Sequence, residues 1–553
     1  MLPRRCDNGG TSVRADASDL NSLPEPADIC IVGSGAAGLT LAARCAALGM
    51  NVLVLEAGGA QAEPGVQDAY AGELADPRVH WPLDTYRVRA LGGTTSLWGG
   101  RSIPFDPIDF EPRPWVAQSG WPITYDEVAR YYPAAMEAAE AGAFDHTPSA
   151  PIVPGLDGEW LHTTIERFSR PTNFWTRYGE QLTRAANVRV ITHAPVTAVR
   201  LAHDGNSVDH LEVATPNGTR WPVRARAYVL AAGGLETARL LLASDDVVRH
   251  GPGNAGGWLG RGYMCHLAAT FGMAHFTGAP NSIGFDYERD AEGIYIRRRL
   301  APTPAAQRQR RLLNATVRLH IRDANDPSHG DPVLSLMFLA AFAVKYEYSR
   351  GAREADRSLG PYLRHVGNIA RHPVQLFNFV RTWGVKRYLA SRRIPSIALP
   401  ARDNRYPLEF VSEQSPNWDS RVLLTEARDA LGMRRLKVDW RVAAADFDSA
   451  RATYRLIRDE LARTGTGTLD YDEAALEDAL LDAAAYGGHH SGTTRMSDTP
   501  RDGVVDRDCR VHGVANLYVA SSAVTPTSSQ ANPTLTAIAL ALRLADHLQE
   551  CGA

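Results

Sequence analysis

The sequence has few cysteines, little net charge and no long apolar run, and each of these absences excludes a class of protein. The six cysteines in 553 residues form no C-x-x-C pair, which argues against a disulfide framework or a metal site and favours a reducing, cytoplasmic compartment. A net charge of -3 gives no electrostatic basis for binding nucleic acid. No apolar run approaches the roughly 20 residues that cross a bilayer, so we expect no transmembrane segment.

The first residues also lack an apolar core. Arg4 and Arg5 are followed by polar residues, so residues 1–24 are predicted to be a disordered lead-in and not a signal peptide. The whole chain is 44% hydrophobic and 22% charged, which is ordinary for a globular enzyme of two or more domains.

The most informative stretch runs from Asp28 to Gly59. A short apolar run precedes glycines in G-x-G-x-x-G spacing (Gly33, Gly35 and Gly38), an Ala/Leu-rich helical segment follows, and a second apolar strand ends at Glu56. In this order the glycines make a tight turn, admit a pyrophosphate and allow close helix–strand packing. Glu56, 18 residues after Gly38, is placed to accept a hydrogen bond from a ribose hydroxyl and would repel a 2′-phosphate, which argues against NADP.

Later segments extend this domain and predict a second one. Val188–Leu201 alternates as a strand does, and Tyr228–Leu242 is interpreted as another strand–turn–helix crossing. Between about residues 271 and 446, arginine clusters such as Arg297–Arg299 and alternating segments predict an antiparallel sheet with helices packed on it.

The basic segment Arg364–Arg393 leaves three interpretations open. We interpret it as a solvated helical excursion, because Pro373 and Gly384 interrupt its periodicity. A segment lying on a membrane surface, or a cover over the mouth of an active site, are the alternatives.

The last quarter contains the groups that alcohol oxidation requires. His489 and His490 stand in GGHHSGTTRM, and Asn532 stands at the start of an Ala/Leu-rich helix. One group must take the proton of a hydroxyl while another orients the same oxygen, and histidine titrates near neutral pH. Histidine pairs are also common structural hydrogen-bonding groups, so the residues alone leave that alternative open.

Seven segments in order carry a resemblance to a known family. They are GSGAAG with LEAG, LGGTTSLWGG, SGWPITYDEVARYY, YVLAAGGLETARLLL, EQSPNWDSRVLL, HHSGTTRM and ANPTLTAIALALRLADHL. Over nearly its whole length the chain resembles the glucose–methanol–choline (GMC) flavoprotein oxidoreductases. Within them it is similar to the bacterial sugar-oxidising branch that includes pyranose 2-oxidase and the gluconate and fructose dehydrogenase flavoprotein subunits.

The resemblance implies an FAD bound with its pyrophosphate over Gly33–Gly38 and its ring near the Gly93–Trp98 loop and Asn532. The family's H-x-x-G-T pattern maps its base onto His489, with His490 as the alternative, and its second catalytic position onto Asn532. We also expect a rate that rises with pH through the histidine range. The predicted cofactor contacts are Gly33, Ser34, Gly35, Ala36, Ala37, Gly38, Glu56, Ala57, Gly92, Gly93, Thr94, Thr95, Leu97, Trp98, Gly99, Gly100, Val196, Ala232, Gly233, Ala523, Asn532, Pro533 and Thr534.

Two residues depart from the family pattern. Ser497 stands where members often have glycine after R-M, and Leu97 stands where pyranose oxidases carry the histidine that links covalently to the flavin. The resemblance therefore implies non-covalent FAD.

The predicted fold is α/β, with a Rossmann-like FAD-binding domain and an α+β substrate domain that contains an antiparallel sheet. The FAD domain is assigned residues 25–115, 186–268 and 498–553, and the substrate domain residues 116–185 and 269–497. The function implied by the resemblance is oxidation of a CH–OH group of a sugar, glycoside or sugar-containing natural product, with hydride transfer to flavin N5.

Two alternatives and one open question accompany this function. The alternatives are oxidation of a small aliphatic or aromatic alcohol, and a flavin-containing hydroxynitrile lyase with no net redox change. No motif reports whether oxygen, a quinone or a redox protein accepts the electrons.

Overall fold

The computed structural model describes residues 14–20, 26–156, 158–215, 218–279, 282–340, 359–401 and 403–552. Among these residues the strands, in chain order, are β1 Arg14–Asp16, β2 Ala27–Val32, β3 Val52–Leu55, β4 Glu73–Leu74, β5 Arg101–Ser102, β6 Leu161–Phe168, β7 Val188–Thr192, β8 Val196–Leu201, β9 Val208–Ala214, β10 Arg220–Val223, β11 Ala225–Leu230, β12 Met264–Phe276, β13 Glu288–Arg289, β14 Tyr295–Pro302, β15 Ala315–Leu319, β16 Arg405–Ser412, β17 Arg421–Arg428, β18 Arg434–Asp439, β19 Gly467–Asp470, β20 Tyr486–Ser491 and β21 Leu517–Val519.

Helices alternate with these strands. In the described residues the α-helices are α1 Ala36–Ala47, α2 Pro64–Gln67, α3 Pro107–Phe110, α4 Tyr125–Ala129, α5 Tyr132–Ala138, α6 Phe174–Arg184, α7 Gly233–Ala243, α8 Pro304–Arg310, α9 Pro332–Leu339, α10 Leu359–Arg371, α11 Pro373–Gly384, α12 Ala444–Thr464, α13 Leu476–Asp482 and α14 Thr534–Glu550. Thr124 and Glu127 exchange hydrogen bonds and form a capping box at the start of α4. No helix in the described part of the chain is long and apolar enough to cross a membrane.

A six-stranded parallel sheet carries the dinucleotide-binding motif. Its strand order is β1-β7-β3-β2-β11-β21, and every neighbouring pair is parallel. The central strands are buried on both faces, which explains their continuous apolar runs. Helix α1 packs against β2 and β3, and α14 packs on α1. The prediction of a Rossmann-like α/β domain is confirmed.

A second, larger sheet in the described residues is antiparallel. It has the order β19-β12-β16-β15-β14-β6-β5, with β13 paired to β14 and β20 paired to β12. Strand β20 carries the HHS segment, and its pairing to β12 places His266 opposite Tyr486. The predicted antiparallel sheet is therefore confirmed, and it brings the histidine segment next to strands that are far away in sequence.

Two sequence-based expectations about local structure are wrong. Part of the predicted disordered lead-in, Arg14–Asp16, is a strand that pairs with β7, because Arg14–Asp16 adds to the free edge of the parallel sheet. Residues 1–13 and 21–25 lie outside the described residues. Val188–Leu201 is not one strand but two, β7 and β8, which lie in different sheets. Pro195 interrupts this segment, since proline has no backbone N–H to donate to a strand ladder.

The domain division stays a prediction. Five strands of the parallel sheet lie in the ranges assigned to the FAD domain, whereas α6, assigned to the substrate domain, packs against α1. The first residues of β12 belong to the antiparallel sheet although they precede residue 269.

Candidate active site

The turn between β2 and α1 has the backbone that a pyrophosphate requires. Gly33 has a φ of +103°, and a Cβ there would lie 2.7 Å from the carbonyl oxygen of Ala231. A Cβ on Gly38 would lie 2.1 Å from the carbonyl oxygen of Gly33, so only glycine permits this helix–strand contact. No atom lies within 4 Å of a Cβ built on Gly35, which leaves open space at the start of α1. No side chain caps that helix, so its first N–H groups are available to a phosphate.

The predicted ribose-binding residue, Glu56, is buried at the end of β3. Its carboxylate accepts hydrogen bonds from the Ser34 backbone N–H (3.0 Å) and hydroxyl (2.6 Å), and from the Gly58 N–H (2.9 Å). Burial raises the pKa of Glu56, and these hydrogen bonds oppose the rise. Glu56 and Ala57 thus lie beside the glycine turn, and the contact with ribose stays a prediction.

The glycine-rich loop after Leu91 folds over this turn. The Gly92 N–H donates to the Ser34 carbonyl (3.1 Å), and Gly93 lies against the Cα of Gly35. The segment Gly93–Ser96, which includes Thr94 and Thr95, forms one 3-10 turn. Trp98 is fixed by its indole N–H, which donates to the Thr172 carbonyl (2.8 Å), whereas Leu97 is 56% exposed.

The remaining predicted cofactor residues approach from three further segments. Ala232 and Gly233 start α7 beside Gly33. The Ala523 carbonyl accepts from the Thr494 N–H (2.9 Å), which links the C-terminal segment to the HHS strand. Val196 begins β8, two residues after Ala194, whose N–H donates to the Glu56 carbonyl (2.9 Å). Pro533 and Thr534 stand at the start of α14, next to Asn532.

His489 and Asn532 meet although 43 residues separate them. The Asn532 amide Nδ2 donates to His489 Nε2 at 2.8 Å. This pairing brings the two predicted catalytic residues to one point, at the wall of a cavity lined mainly by strands of the antiparallel sheet.

A third group, His266 on β12, was not predicted from the sequence. Its Nε2 lies 3.4 Å from the Ser528 carbonyl, which can only accept, so Nε2 carries the proton. Its Nδ1 is then an acceptor for His489 Nδ1–H at 2.9 Å. These two hydrogen bonds place the proton of His489 on Nδ1 and its lone pair on Nε2, the atom that faces Asn532. No sequence motif surrounds His266, since only the pairing of β12 with β20 brings it here.

Charged side chains from the antiparallel sheet line the same cavity. They are Arg101, Glu166, Arg299 and Arg318, accompanied by Gln530. Sequence analysis noted the cluster Arg297–Arg299 only as a shift in composition. The alternation of the strand is the signal that could have singled out Arg299. Alternate residues of a strand point to the same face, so Arg299 points away from Arg298.

The pKa of His489 lies well below the ordinary histidine value. Burial is the largest cause, and the neighbouring His266, Arg101 and Arg318 lower it further. A neutral imidazole whose lone pair is on Nε2, where it accepts the Asn532 hydrogen bond, is the form that can take up a proton. The lowered pKa therefore keeps His489 in the form of a base at neutral pH.

His490 points to the other face of β20. Its Nδ1 lies 2.7 Å from the Tyr263 hydroxyl, which also lies 2.8 Å from His80 Nε2 and 3.0 Å from Cys265 Sγ. The ligand atoms of His80, Cys265 and His490 lie within 4.8 Å of one another, close enough to hold a metal ion. The Tyr263 hydroxyl contacts all three, which accounts for their proximity without an ion. The absence of a metal stays a prediction.

Comparisons with protein families identify the chain. The family model described as FAD dependent oxidoreductase matches residues 28–335, and the one described as GMC oxidoreductase matches residues 416–541. The chain belongs to the FAD-dependent GMC oxidoreductases. The glycine turn and the free end of α1 fit the FAD that this family uses, and the resemblance seen in the sequence is confirmed.

Individual relatives of this GMC oxidoreductase share its length. Paromamine 6'-oxidase from Streptomyces fradiae is 24% identical over 94% of this chain and 90% of that protein. The fructose dehydrogenase large subunit from Gluconobacter japonicus is 24% identical over 94% of this chain and 97% of that protein. A solved fungal aryl-alcohol oxidase superposes with a TM-score of 0.54 and 15% identity, covering 96% of this chain and 100% of that chain, and it supports the fold alone.

Replacing Gly35 by valine is expected to remove FAD without unfolding the protein. Gly35 has a φ of -78°, which valine tolerates, and open space surrounds its Cβ position, but the side chain would fill the space beside the phosphates. We expect the FAD dissociation constant to rise about tenfold or more. Fluorescence titration of the apoprotein measures it, with thermal unfolding as the control for folding. Unchanged FAD affinity would show that the pyrophosphate does not lie here.

Proposed function

We propose that this GMC oxidoreductase oxidises a CH–OH group of a sugar, glycoside or sugar-containing natural product to the carbonyl. The observation that carries the proposal is the contact between His489 and Asn532 beside a cavity lined by polar side chains. Sugar hydroxyls need such hydrogen-bonding groups, which a pocket for a small apolar alcohol would lack. The names of the two relatives, an oxidase of paromamine and a dehydrogenase of fructose, support the same substrate class.

The catalytic residues have separate tasks in this proposal. His489 Nε2 takes the proton of the substrate hydroxyl, and the Asn532 amide donates a hydrogen bond that orients the same oxygen. His266 holds His489 in the tautomer that has its lone pair on Nε2. FAD, when bound, supplies the acceptor for the hydride.

An anaerobic reduction assay tests the function. The FAD-loaded protein is mixed without oxygen with sugars, including paromamine and fructose, and with small alcohols, and the flavin absorbance is followed. Bleaching by a sugar supports the proposal, whereas bleaching only by small alcohols favours the first alternative. Cleavage of a hydroxynitrile without bleaching favours the lyase. Reoxidation by oxygen, a quinone or a redox protein then identifies the electron acceptor.

The rate of flavin reduction is expected to stay constant from about pH 6 to pH 8. The base must be neutral, and the lowered pKa of His489 keeps it neutral throughout this range. The rate should fall only in more acidic solution, as the pH drops through the lowered pKa. This replaces the expectation from the sequence of a titration in the ordinary histidine range. Stopped-flow reduction across pH measures it, and a rate that still rises between pH 6 and 8 would contradict it.

We propose that the FAD is bound non-covalently. Position 97 is leucine, which cannot form the link that a histidine forms there in pyranose oxidases. Acid precipitation of the protein should leave the yellow colour in the supernatant. Flavin that stays in the pellet would reveal a covalent bond at another residue.

The cytoplasm is the proposed compartment. Cys30, Cys45, Cys265 and Cys509 are buried free thiols and Cys551 is an exposed one, as a reducing environment favours.

A further inference from the structure

Arg299, in the cavity beside His489 and Asn532, forms no ion pair with a carboxylate in the described part of the chain. Arg299 is only 4% exposed, and its Nε donates to the Thr164 hydroxyl at 2.9 Å. One terminal nitrogen donates to Gln530 Oε1 at 2.7 Å. Within the described part of the chain, no ion pair joins Arg299 to a carboxylate within 4.0 Å. The charges of Glu166 and Asp106 act on Arg299, but burying a guanidinium without a directly paired carboxylate is costly in free energy and calls for an explanation.

Two of the nearby carboxylates, Glu166 and Glu409, already pair with other arginines. Glu166 lies 3.1 Å from Arg101 and 3.2 Å from Arg318, and Arg318 also lies 2.8 Å from Glu409. Three arginines but one carboxylate, Glu166, line the cavity, and the nearby Asp106 accepts a hydrogen bond from Gln530 Nε2 at 3.0 Å. Burial lowers the pKa of Arg299 to about 10, so it remains charged at neutral pH. The cavity wall therefore carries an excess of positive charge close to His489 and Asn532.

We infer that the substrate carries an acidic group, a carboxylate or a phosphate, which pairs with Arg299. This inference rests on the proposed function and narrows its substrate class to acidic sugars. The acidic group would lie against Arg299 while the hydroxyl to be oxidised lies against His489, and Arg299 would thereby orient the substrate.

Binding measurements separate this inference from the reaction itself. Glucose, glucuronate, gluconate and glucose 6-phosphate are titrated into the FAD-loaded protein by calorimetry. We expect at least one acidic sugar to bind about tenfold or more tightly than glucose. Arg299→Gln should remove this preference and Arg299→Lys should keep part of it. Arg184→Gln, on the exposed face of α6, is the control and should change nothing.

The outcomes are distinct. Glucose binding as tightly as every acidic sugar to the wild-type protein would overturn the inference without any variant. A preference for acidic sugars that survives Arg299→Gln would also overturn it. Tight binding of an acidic sugar, with no flavin bleaching by any sugar, would support the acidic site while contradicting the proposed function.

A different part of the molecule carries a second inference. Helices α10 and α11 and the turn after them hold ten of the thirteen exposed large hydrophobic side chains in the described chain. The most exposed of these are Leu359, Leu363, Val374, Phe377, Tyr388 and Leu389, each more than half exposed. Exposed apolar side chains concentrated in this way mark an interaction site.

The opposite face of α10 is anchored to the protein. His365 stacks on Phe338 of α9 with ring centroids 4.0 Å apart, and its Nδ1 lies 3.1 Å from the Ser335 hydroxyl. Leu359, Leu363 and Val366 follow the spacing of one helical face. The apolar face of α10 is therefore the face turned away from the protein.

The charged side chains of residues 359–393 are all positive. Residues 359–393 contain seven lysines and arginines and no aspartate or glutamate. Five of these cations are exposed, namely Arg364, Arg371, Arg381, Lys386 and Arg393. A second copy of the same surface would repel it, whereas an anionic surface would attract it.

We propose that residues 359–393 seat the enzyme on the surface of an anionic lipid bilayer. Exposed apolar side chains would enter the interface while the surrounding cations contact acidic headgroups, as in helices that lie in the plane of a membrane. This replaces the interpretation of the segment as a solvated excursion and adopts one of the alternatives that the sequence left open.

Vesicle flotation tests this proposal with the full-length, FAD-loaded protein. We expect it to float with vesicles of phosphatidylglycerol and phosphatidylcholine in about equal amounts, and not with phosphatidylcholine alone, at about 0.1 M salt. The triple variant Leu363→Glu, Phe377→Glu, Leu389→Glu should lose binding while it keeps its flavin. Each of Arg364→Gln, Arg371→Gln and Arg381→Gln should weaken binding about fivefold. Val247→Glu, which changes an exposed apolar residue elsewhere, is the matched control.

Three results would overturn the proposal. One is a wild-type protein that stays in solution with the anionic vesicles. Another is a triple variant that binds them as well as the wild type. The third is an oligomer that this variant converts to monomers, since a second copy would then cover the surface.

Discussion

Replacing His489 by alanine is expected to slow flavin reduction by about 10²- to 10⁴-fold while FAD stays bound. The loss corresponds to about 3–5 kcal/mol of activation free energy. The reason is that His489 Nε2 carries the lone pair of the ring next to Asn532 and is the atom proposed to take the substrate proton. The glycine turn and Glu56, which are predicted to hold the cofactor, lie on separate segments and are unchanged. Stopped-flow reduction under anaerobic conditions measures the effect.

Two further variants test the assignment of the base. Asn532→Ala should also slow reduction, and the double variant should lose less than the product of the two effects, because both groups act on one oxygen. His490→Ala should cost much less, since His490 faces Tyr263 on the other side of β20. If His490→Ala reduces flavin much more slowly than the wild type while His489→Ala keeps nearly the wild-type rate, His490 is the base.

Replacing Glu236 by alanine is expected to destabilise the fold by about 3–5 kcal/mol. The buried Glu236 carboxylate lies 3.0 Å from Arg87, 2.6 Å from Arg89 and 3.2 Å from Arg239. Its removal leaves buried guanidinium groups without this acceptor, although Arg239 keeps Asp429 at 2.8 Å. Chemical denaturation at a fixed FAD concentration measures the free energy of unfolding.

The Glu236 carboxylate also makes the free energy of unfolding depend on pH. Burial alone would raise the pKa of Glu236, but Arg89, Arg239 and Arg87 outweigh it and lower the pKa to about 2. Because the folded-state pKa lies below the unfolded value, the contribution is complete above about pH 5 and is lost as the pH falls towards 2. The wild-type advantage over Glu236→Ala should therefore shrink across this range.

An exposed ion pair provides the control. Glu180 pairs with Arg184 on the surface of α6, where Glu180→Ala should cost less than about 1 kcal/mol. Equal stability losses for Glu236→Ala and Glu180→Ala would show that the buried cluster contributes no more than a surface pair.

The sequence by itself determined the cofactor-binding unit and the two groups proposed for catalysis. Gly33 and Gly38 are recognisable because only glycine fits where backbone approaches backbone within a few ångströms, and Gly35 completes their spacing. His489 and Asn532 stand in short motifs whose local order is the signal. These features are local, so the chain order alone is enough to find them.

Only the tertiary structure decided what surrounds these groups. His266 reaches His489 through the pairing of β12 with β20, and Arg299 enters the same cavity from β14. Neither residue has a local pattern, because long-range strand pairing brings them together. The same holds for the face of α10, since only its packing on α9 shows which side stays exposed. Local sequence encodes turns and helix starts, whereas the electrostatics of a cavity arise from residues that meet only in the folded chain.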